Sequence, residues 1–216
     1  MKQINLHARV VLLDWDGTLL NSYAADLRAY LAMFHAFDIE WGARELERHY
    51  SPDWYQVYRA ARLPRSKWGQ ADRLWRAAYL AEHPPLLPGA RKAVRTLEQK
   101  FRLGLVTSGS RWRVRRQLRE LGLRDFFSAC VCGEDAPKRK PDPAPLEVAL
   151  KRLRAKPDES VYVGDAPEDI EMARRAGVKP IGVLGPFPSS KRIRAARPDL
   201  LLRSIEELPR HLRRSE

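Results

Sequence analysis

The first long apolar run of the chain, Val10-Val11-Leu12-Leu13, stops at two acids two residues apart in Asp14-Trp15-Asp16-Gly17-Thr18. A continuous β-branched and aliphatic run is what a central parallel strand, covered on both faces, requires. Such a strand confines the chain to layered α/β folds with helices on either side. Residues i and i+2 of an extended chain share a side, so Asp14 and Asp16 are expected to address one ligand. Gly17 permits the sharp turn behind them. Open α/β sheets bind ligands at the carboxyl ends of their strands, which is where these acids fall.

Three later stretches supply partners for such a site. Leu103-Gly104-Leu105-Val106 reads as a second buried strand and opens through Thr107-Ser108-Gly109-Ser110 into a helix over Trp112–Leu121. A strand that opens into a helix in this way presents backbone N–H groups suited to an anion. Lys138-Arg139-Lys140-Pro141-Asp142-Pro143 is a stiff basic loop ahead of a helix around Pro145–Leu153, and a lysine there acts as a point charge for phosphate. Val161-Tyr162-Val163-Gly164 is a third strand, ending in Asp165 with Asp169 about one helical turn further on, before a helix over Ile170–Ala176. Taken singly, each piece has a bland reading: a helix cap, a solvated lysine, a pair of surface acids. The order defeats those readings, because acid pair, hydroxyl, lysine and acid pair recur with the hydroxyl and both acid pairs ending apolar strands.

That arrangement resembles the haloacid dehalogenase-like hydrolase superfamily, in particular its phosphatase branch with a helical C1-type cap, of the phosphoglycolate phosphatase kind. All four family motifs occur in order across nearly the whole chain. The resemblance implies a Rossmann-like doubly wound parallel sheet with an inserted all-helical cap domain. It implies that Asp14 is the nucleophile and Asp16 the general acid/base. Thr107 and Ser108 match the phosphate-binding positions, and Lys140 the charge-stabilising lysine. Asp14, Asp16, Asp165 and Asp169 match the carboxylates that hold or support Mg²⁺. Trp15 departs from the family's usual Phe or Leu and reads as a packing residue, and Ser108 stands where relatives often carry Asn.

The chemistry accounts for these residue types. A carboxylate attacking phosphorus divides one hard displacement into two easier ones, and Mg²⁺ offsets its repulsion from a dianionic phosphate. Asp16 would protonate the leaving alcohol and then activate the water. Dehalogenation of the name-giving kind lacks an acid at the Asp16 position. The expected substrate is therefore a small-molecule phosphate ester. The alternatives are a phosphomutase with the same motifs and a non-catalytic protein holding RNA or another polyanion.

Between Leu20 and Leu87 strand-like punctuation gives way to helical periodicity over Tyr23–Phe37, Ala43–Tyr50, Trp54–Arg62 and Trp68–Glu82. Residues 20–87 are expected to form the cap, and residues 1–19 with 88–216 the catalytic core. Twelve of the nineteen aromatics lie in this segment, most of them as the core of a small bundle. Ser51-Pro52-Asp53-Trp54-Tyr55 sits at a loop–helix junction, and Trp54 and Tyr55 are its candidate substrate contacts.

Lys and Arg total 40 against 27 acids, a net charge of +13. Much of the excess lies on Arg111, Arg113, Arg115, Arg116 and Arg119 and on Lys191-Arg192-Ile193-Arg194. The first group spreads around its helix without aromatic interleaving, which favours a solvated surface that steers anions over a specific nucleic-acid site. No apolar run approaches the ~18 residues of a membrane span, and the start Met1-Lys2-Gln3-Ile4-Asn5 carries no apolar signal region. Cys130 and Cys132, two apart on a probable strand (Ala129–Gly133), read as reduced core thiols. A cytoplasmic protein is expected, as a monomer or weak homodimer.

Overall fold

The computed structural model describes residues 6–51 and 53–214; Met1–Asn5, Pro52, Ser215 and Glu216 lie outside the described residues. The chain divides into two compact units, one running to Leu20 and resuming at Leu86, the other Asn21–Pro85.

The first unit is built on a six-stranded sheet. Its strands are β2 (Val10–Leu13), β3 (Arg102–Val106), β4 (Ala129–Val131), β5 (Ser160–Gly164), β6 (Lys179–Val183) and β7 (Leu200–Leu202), in the order β4-β3-β2-β5-β6-β7. Every pairing is parallel, with Leu13 opposite Leu105 on one side and Val163 on the other. The chain moves outward from β2 to β3 and β4, then returns to the far side of β2 for β5. That reversal makes the carboxyl edge of β2 and β5 the switch point where α/β sheets bind ligands. A separate parallel pair joins β1 (Leu6–Ala8) to β8 (Leu212–Arg214).

Strand alternation divides the core into two layers. Val11, Leu13, Leu103, Leu105, Val161 and Val163 pack against α5 (Ala90–Glu98) and α6 (Arg111–Glu120) through Ala93, Val94, Leu97, Val114 and Leu118. Val10, Leu12 and Tyr162 face α7 (Ala144–Leu153) and α8 (Pro167–Arg175) through Leu146, Ala149, Met172 and Ala173. All four residues of β2 are fully buried, each worth roughly 1.5–3 kcal/mol of apolar burial, which explains the unbroken aliphatic run. Gly104 is required within β3, since a Cβ there would stand 2.6 Å from the Leu12 side chain.

The second unit is all-helical: α1 (Tyr23–His35), α2 (Ala43–His49), α3 (Trp54–Ala60) and α4 (Trp68–Tyr79). Tyr30, Met33, Phe34, Leu46, Val57, Tyr58, Leu63 and Ala71 form its core. Tyr58 donates its buried hydroxyl to Asp72 at 3.0 Å. Burial first, and then the Asp72 carboxylate, push that phenol well above its usual range.

Candidate active site

Four loops at the carboxyl edge of the sheet supply the polar residues. Asp14 follows β2 directly, and its N–H donates to the Val163 carbonyl at 2.9 Å, so ladder pairing carries the strand up to the acid itself. Gly17 then takes φ +77°. A Cβ at Gly17 would meet Asp165 Oδ2 at 2.4 Å, and one at Gly185 would meet the Gly17 carbonyl at 2.3 Å. The two glycines therefore let the β2 and β6 loops close around Asp165.

Lys140 organises the centre. Its Nζ lies 2.8 Å from Asp14 Oδ1 and 2.8 Å from Asp169 Oδ1, and it sits 5.4 Å from the centre of the Tyr162 ring. Tyr162 donates its hydroxyl towards Asp169 Oδ1 (3.1 Å) and the Val106 carbonyl (3.0 Å), while Ala166 N–H donates to Asp169 Oδ2 at 3.0 Å. Asp169 is thereby fixed at the start of α8 by three donors. Burial alone would lower the Lys140 ammonium, but Asp14 and Asp169 outweigh it and hold the charge firmly in place. Lys138, by contrast, is an exposed side chain paired with Asp142 at 3.3 Å.

Burial raises the Asp14 carboxyl from its ordinary 3.8 to about 7, with Lys140 opposing the rise and Asp169 and Asp16 adding to it. Asp165 is raised well above the usual range, by burial first and then by Asp169 and Asp14. Its Oδ2 is a buried acceptor without a hydrogen-bond donor. Carboxylate oxygens of Asp14, Asp165 and Asp169 all lie within 4.8 Å of one another. Three buried acids against one ammonium, with an orphaned acceptor among them, fit a hard divalent cation taking oxygen ligands.

Asp16 takes a different place from the other acids. β2 ends at Leu13 and the chain turns through Gly17, so Asp16 lies beyond the strand, near enough for its charge to raise the Asp14 and Asp165 carboxyls. The carboxylate faces α6, where Arg113 grips it through two bonds, Nη1 to Oδ1 at 2.7 Å and Nη2 to Oδ2 at 2.6 Å. Among the described residues, the acids close enough to share one cation are Asp14, Asp165 and Asp169, and the Asp16 carboxylate is outside that group.

Thr107 is buried at the end of β3, where its Oγ1 accepts from Gly109 N–H at 3.0 Å and keeps its own proton to donate. Ser108 is half-buried beside it, and its carbonyl closes on Gly133 so tightly that a Cβ there would stand at 2.5 Å. Trp54 and Tyr55 begin α3 under the Asp53 cap. Tyr55 stacks on Trp68 at 4.6 Å and Trp54 lies 5.3 Å from Tyr55, so both rings serve the packing of the helical unit.

Sequence reasoning missed Arg113, placing it on a solvated basic helix. It is 5 % exposed. The signal was present: Arg113 shares the face of Val114, Gln117 and Leu118, and an arginine on a buried face needs a carboxylate. Trp15, fully buried, donates its indole N–H to Gln117 at 2.8 Å, one turn along from Arg113.

Residues 11–183 match the haloacid dehalogenase-like hydrolase family. The chain is 31 % identical over 208 residues to Pyrophosphatase PpaX of Halalkalibacterium halodurans, covering 94 % of this chain and 96 % of that one. Among solved structures, a predicted phosphoglycolate phosphatase from Haemophilus somnus 129pt superposes with a TM-score of 0.82 at 22 % identity, covering 96 % of this chain and 97 % of that one. CbbY from Rhodobacter sphaeroides, solved in complex with phosphate, does so with a TM-score of 0.81 at 23 % identity, covering 93 % and 96 %.

Proposed function

The chain belongs to the haloacid dehalogenase-like hydrolases and is a phosphatase of that family, and from that premise we propose that it hydrolyses a small phosphorylated metabolite through a phosphorylated Asp14. The observation that carries this reading is the Asp14–Lys140 contact of 2.8 Å inside a buried cluster of three acids. A carboxylate at a strand end, facing a fixed ammonium, is a nucleophile placed beside the charge that its substrate's oxygens need.

Asp14, Asp165 and Asp169 would hold Mg²⁺, which neutralises charge on the phosphoryl group and offsets its repulsion from Asp14. Lys140 holds Asp14 in place and stabilises negative charge on the transferring oxygens. The Thr107 hydroxyl and the adjoining backbone bind the phosphoryl oxygens, with Ser108 beside them. Asp16 gives its proton to the leaving oxygen as the Asp14–phosphorus bond forms. It then takes a proton from the water that cleaves the acyl phosphate, returning both carboxyls to their starting state. Trp54 and Tyr55, at the head of α3, contribute to the choice of substrate.

The likeness to PpaX adds inorganic pyrophosphate to the candidate substrates, alongside phosphate monoesters. Phosphate release from a panel of phosphorylated metabolites and pyrophosphate, with Mg²⁺ and with EDTA, tests the reading. Turnover is expected for at least one member, lost in EDTA, restored by Mg²⁺ and abolished by Asp14→Asn. Undiminished turnover by Asp14→Asn, or tight polyanion binding with no turnover of any member, refutes it.

A further inference from the structure

We propose that Arg113 is a positioning residue for Asp16, setting the direction in which its carboxyl faces the leaving oxygen. The inference rests on the acid/base role of Asp16 proposed above. Three observations on one helix support it. Arg113 is almost completely buried, so its charge is there for a partner rather than for solubility. Its two terminal nitrogens match the two Asp16 oxygens in a fork, at 2.7 and 2.6 Å, the geometry that fixes orientation as well as distance. One turn later, Gln117 accepts from the Trp15 indole at 2.8 Å. Helix α6 therefore tethers two consecutive residues of the loop that follows the nucleophile.

The surroundings explain why a tether is needed. Asp14 is held by Lys140 and by a backbone bond to β5, but Asp16 lies past the end of β2, on a turn that pivots at Gly17. A carboxyl that must serve an alkoxide in one half-reaction and a water in the next cannot swing without losing rate. In the first half one Asp16 oxygen carries the proton while the other stays on the guanidinium. The proton passes to the leaving oxygen as its bond to phosphorus breaks and the Asp14 bond forms. In the second half the same carboxylate accepts a proton from water as the water oxygen bonds phosphorus and the Asp14–phosphorus bond breaks. Lysine cannot replace the fork, because a single ammonium fixes distance without fixing the plane.

The test reads kcat/KM, which covers steps up to departure of the leaving group, for p-nitrophenyl, phenyl and alkyl phosphates in the presence of Mg²⁺. Wild type, Asp16→Asn, Arg113→Ala and Arg113→Lys are compared. Asp16→Asn is expected to lose more as the leaving group worsens, because p-nitrophenolate leaves without a proton and an alkoxide does not. Arg113→Ala should reproduce that slope, losing ~10-fold or less on p-nitrophenyl phosphate and ~10² on the alkyl ester. Arg113→Lys should fall between, and millimolar guanidinium should restore alkyl ester turnover to Arg113→Ala. An equal loss on all three substrates, beside a steep Asp16→Asn slope, overturns the inference alone. A flat Asp16→Asn profile overturns the acid/base reading and the inference with it. Should Arg113→Ala fail to fold, the Arg113→Lys slope carries the same decision.

Discussion

Replacing Asp165 with Asn is expected to make the metal-free protein more stable while removing its activity. Asp165 is 3 % exposed, its Oδ2 has no donor, and its carboxyl is raised by burial and by two neighbouring acids. At pH 8 the folded protein must either bury that charge or hold a proton that the unfolded chain has already lost. Either course costs free energy that an amide of the same shape avoids, since its NH₂ can donate to Asp14 or Asp169. A buried unsatisfied acceptor costs ~1–3 kcal/mol, and for a chain of this size each kcal/mol moves Tm by ~2–4 °C. Asp165→Asn should therefore melt ~2–12 °C above wild type in EDTA at pH 8. With Mg²⁺ the order changes: metal at a hundredfold excess over Kd adds ~2.7 kcal/mol to the wild type, and the variant should gain little. Thermal melts of both proteins, with EDTA and with a Mg²⁺ titration, supply the four numbers. A variant that melts below wild type in EDTA, or that Mg²⁺ stabilises equally, refutes the reasoning.

Other outcomes follow from the same geometry. Lys140→Ala should lower kcat by ~10² or more, as for loss of a preorganised charge-stabilising group, while Lys138→Ala, on the exposed side of the loop, should be nearly silent in the same assay. Asp14 titrates near 7 folded against an ordinary 3.8; the folded state binds the extra proton between these values, so stability from this group is full below 3.8 and is lost as pH rises through 7. The Tm advantage of Asp14→Asn over wild type in EDTA should accordingly grow from pH 5 to pH 8, and a constant difference would contradict the shift. Rising salt should lower kcat/KM moderately for all anionic substrates by screening the +13 chain. Trp54→Ala should change kcat/KM unequally across a substrate panel, whereas a uniform change would assign that ring to packing alone.

The buried strands could be read in advance because their apolar runs are unbroken; Val10–Leu13 was legible to the residue. Helix ends were not. Tyr23–Phe37 and Trp54–Arg62 overshoot, because Asp38 and Arg62 adopt left-handed backbone at φ +54°, a conformation in which glycine is the usual marker. The chain closes there through Ile39 N–H to the Phe34 carbonyl and Leu63 N–H to the Tyr58 carbonyl, without a residue that announces it. Where glycine does mark the end, at Gly122 and Gly177, the readings for α6 and α8 stop within a residue of the helix. Leu6–Ala8 and Leu212–Arg214 escaped notice because three residues each, lying at opposite ends of the sequence, carry no periodicity of their own. Within the site, Asp14, Lys140, Asp165 and Asp169 were legible because each lies in a motif at or just beyond a buried segment. Arg113 was hidden by its company. It stands among other arginines, of which Arg115 and Arg119 are exposed, and only the helical phase of Val114, Gln117 and Leu118 distinguishes it.

The points where the inserted helices leave and rejoin the first unit are joined to each other. Leu20 bridges Leu86 as antiparallel neighbours, and Leu87 N–H donates to the Leu19 carbonyl at 2.8 Å. The closing of the insertion is thus met locally, by a two-stranded clasp whose entropic cost depends only weakly on the length between its ends: doubling a flexible insert adds only ~0.6 kcal/mol. The 65-residue stretch Asn21–Pro85 is, in engineering terms, a cassette in a pre-formed socket. A shorter or unrelated bundle spliced between Leu20 and Leu86 should leave the sheet and its acids able to fold.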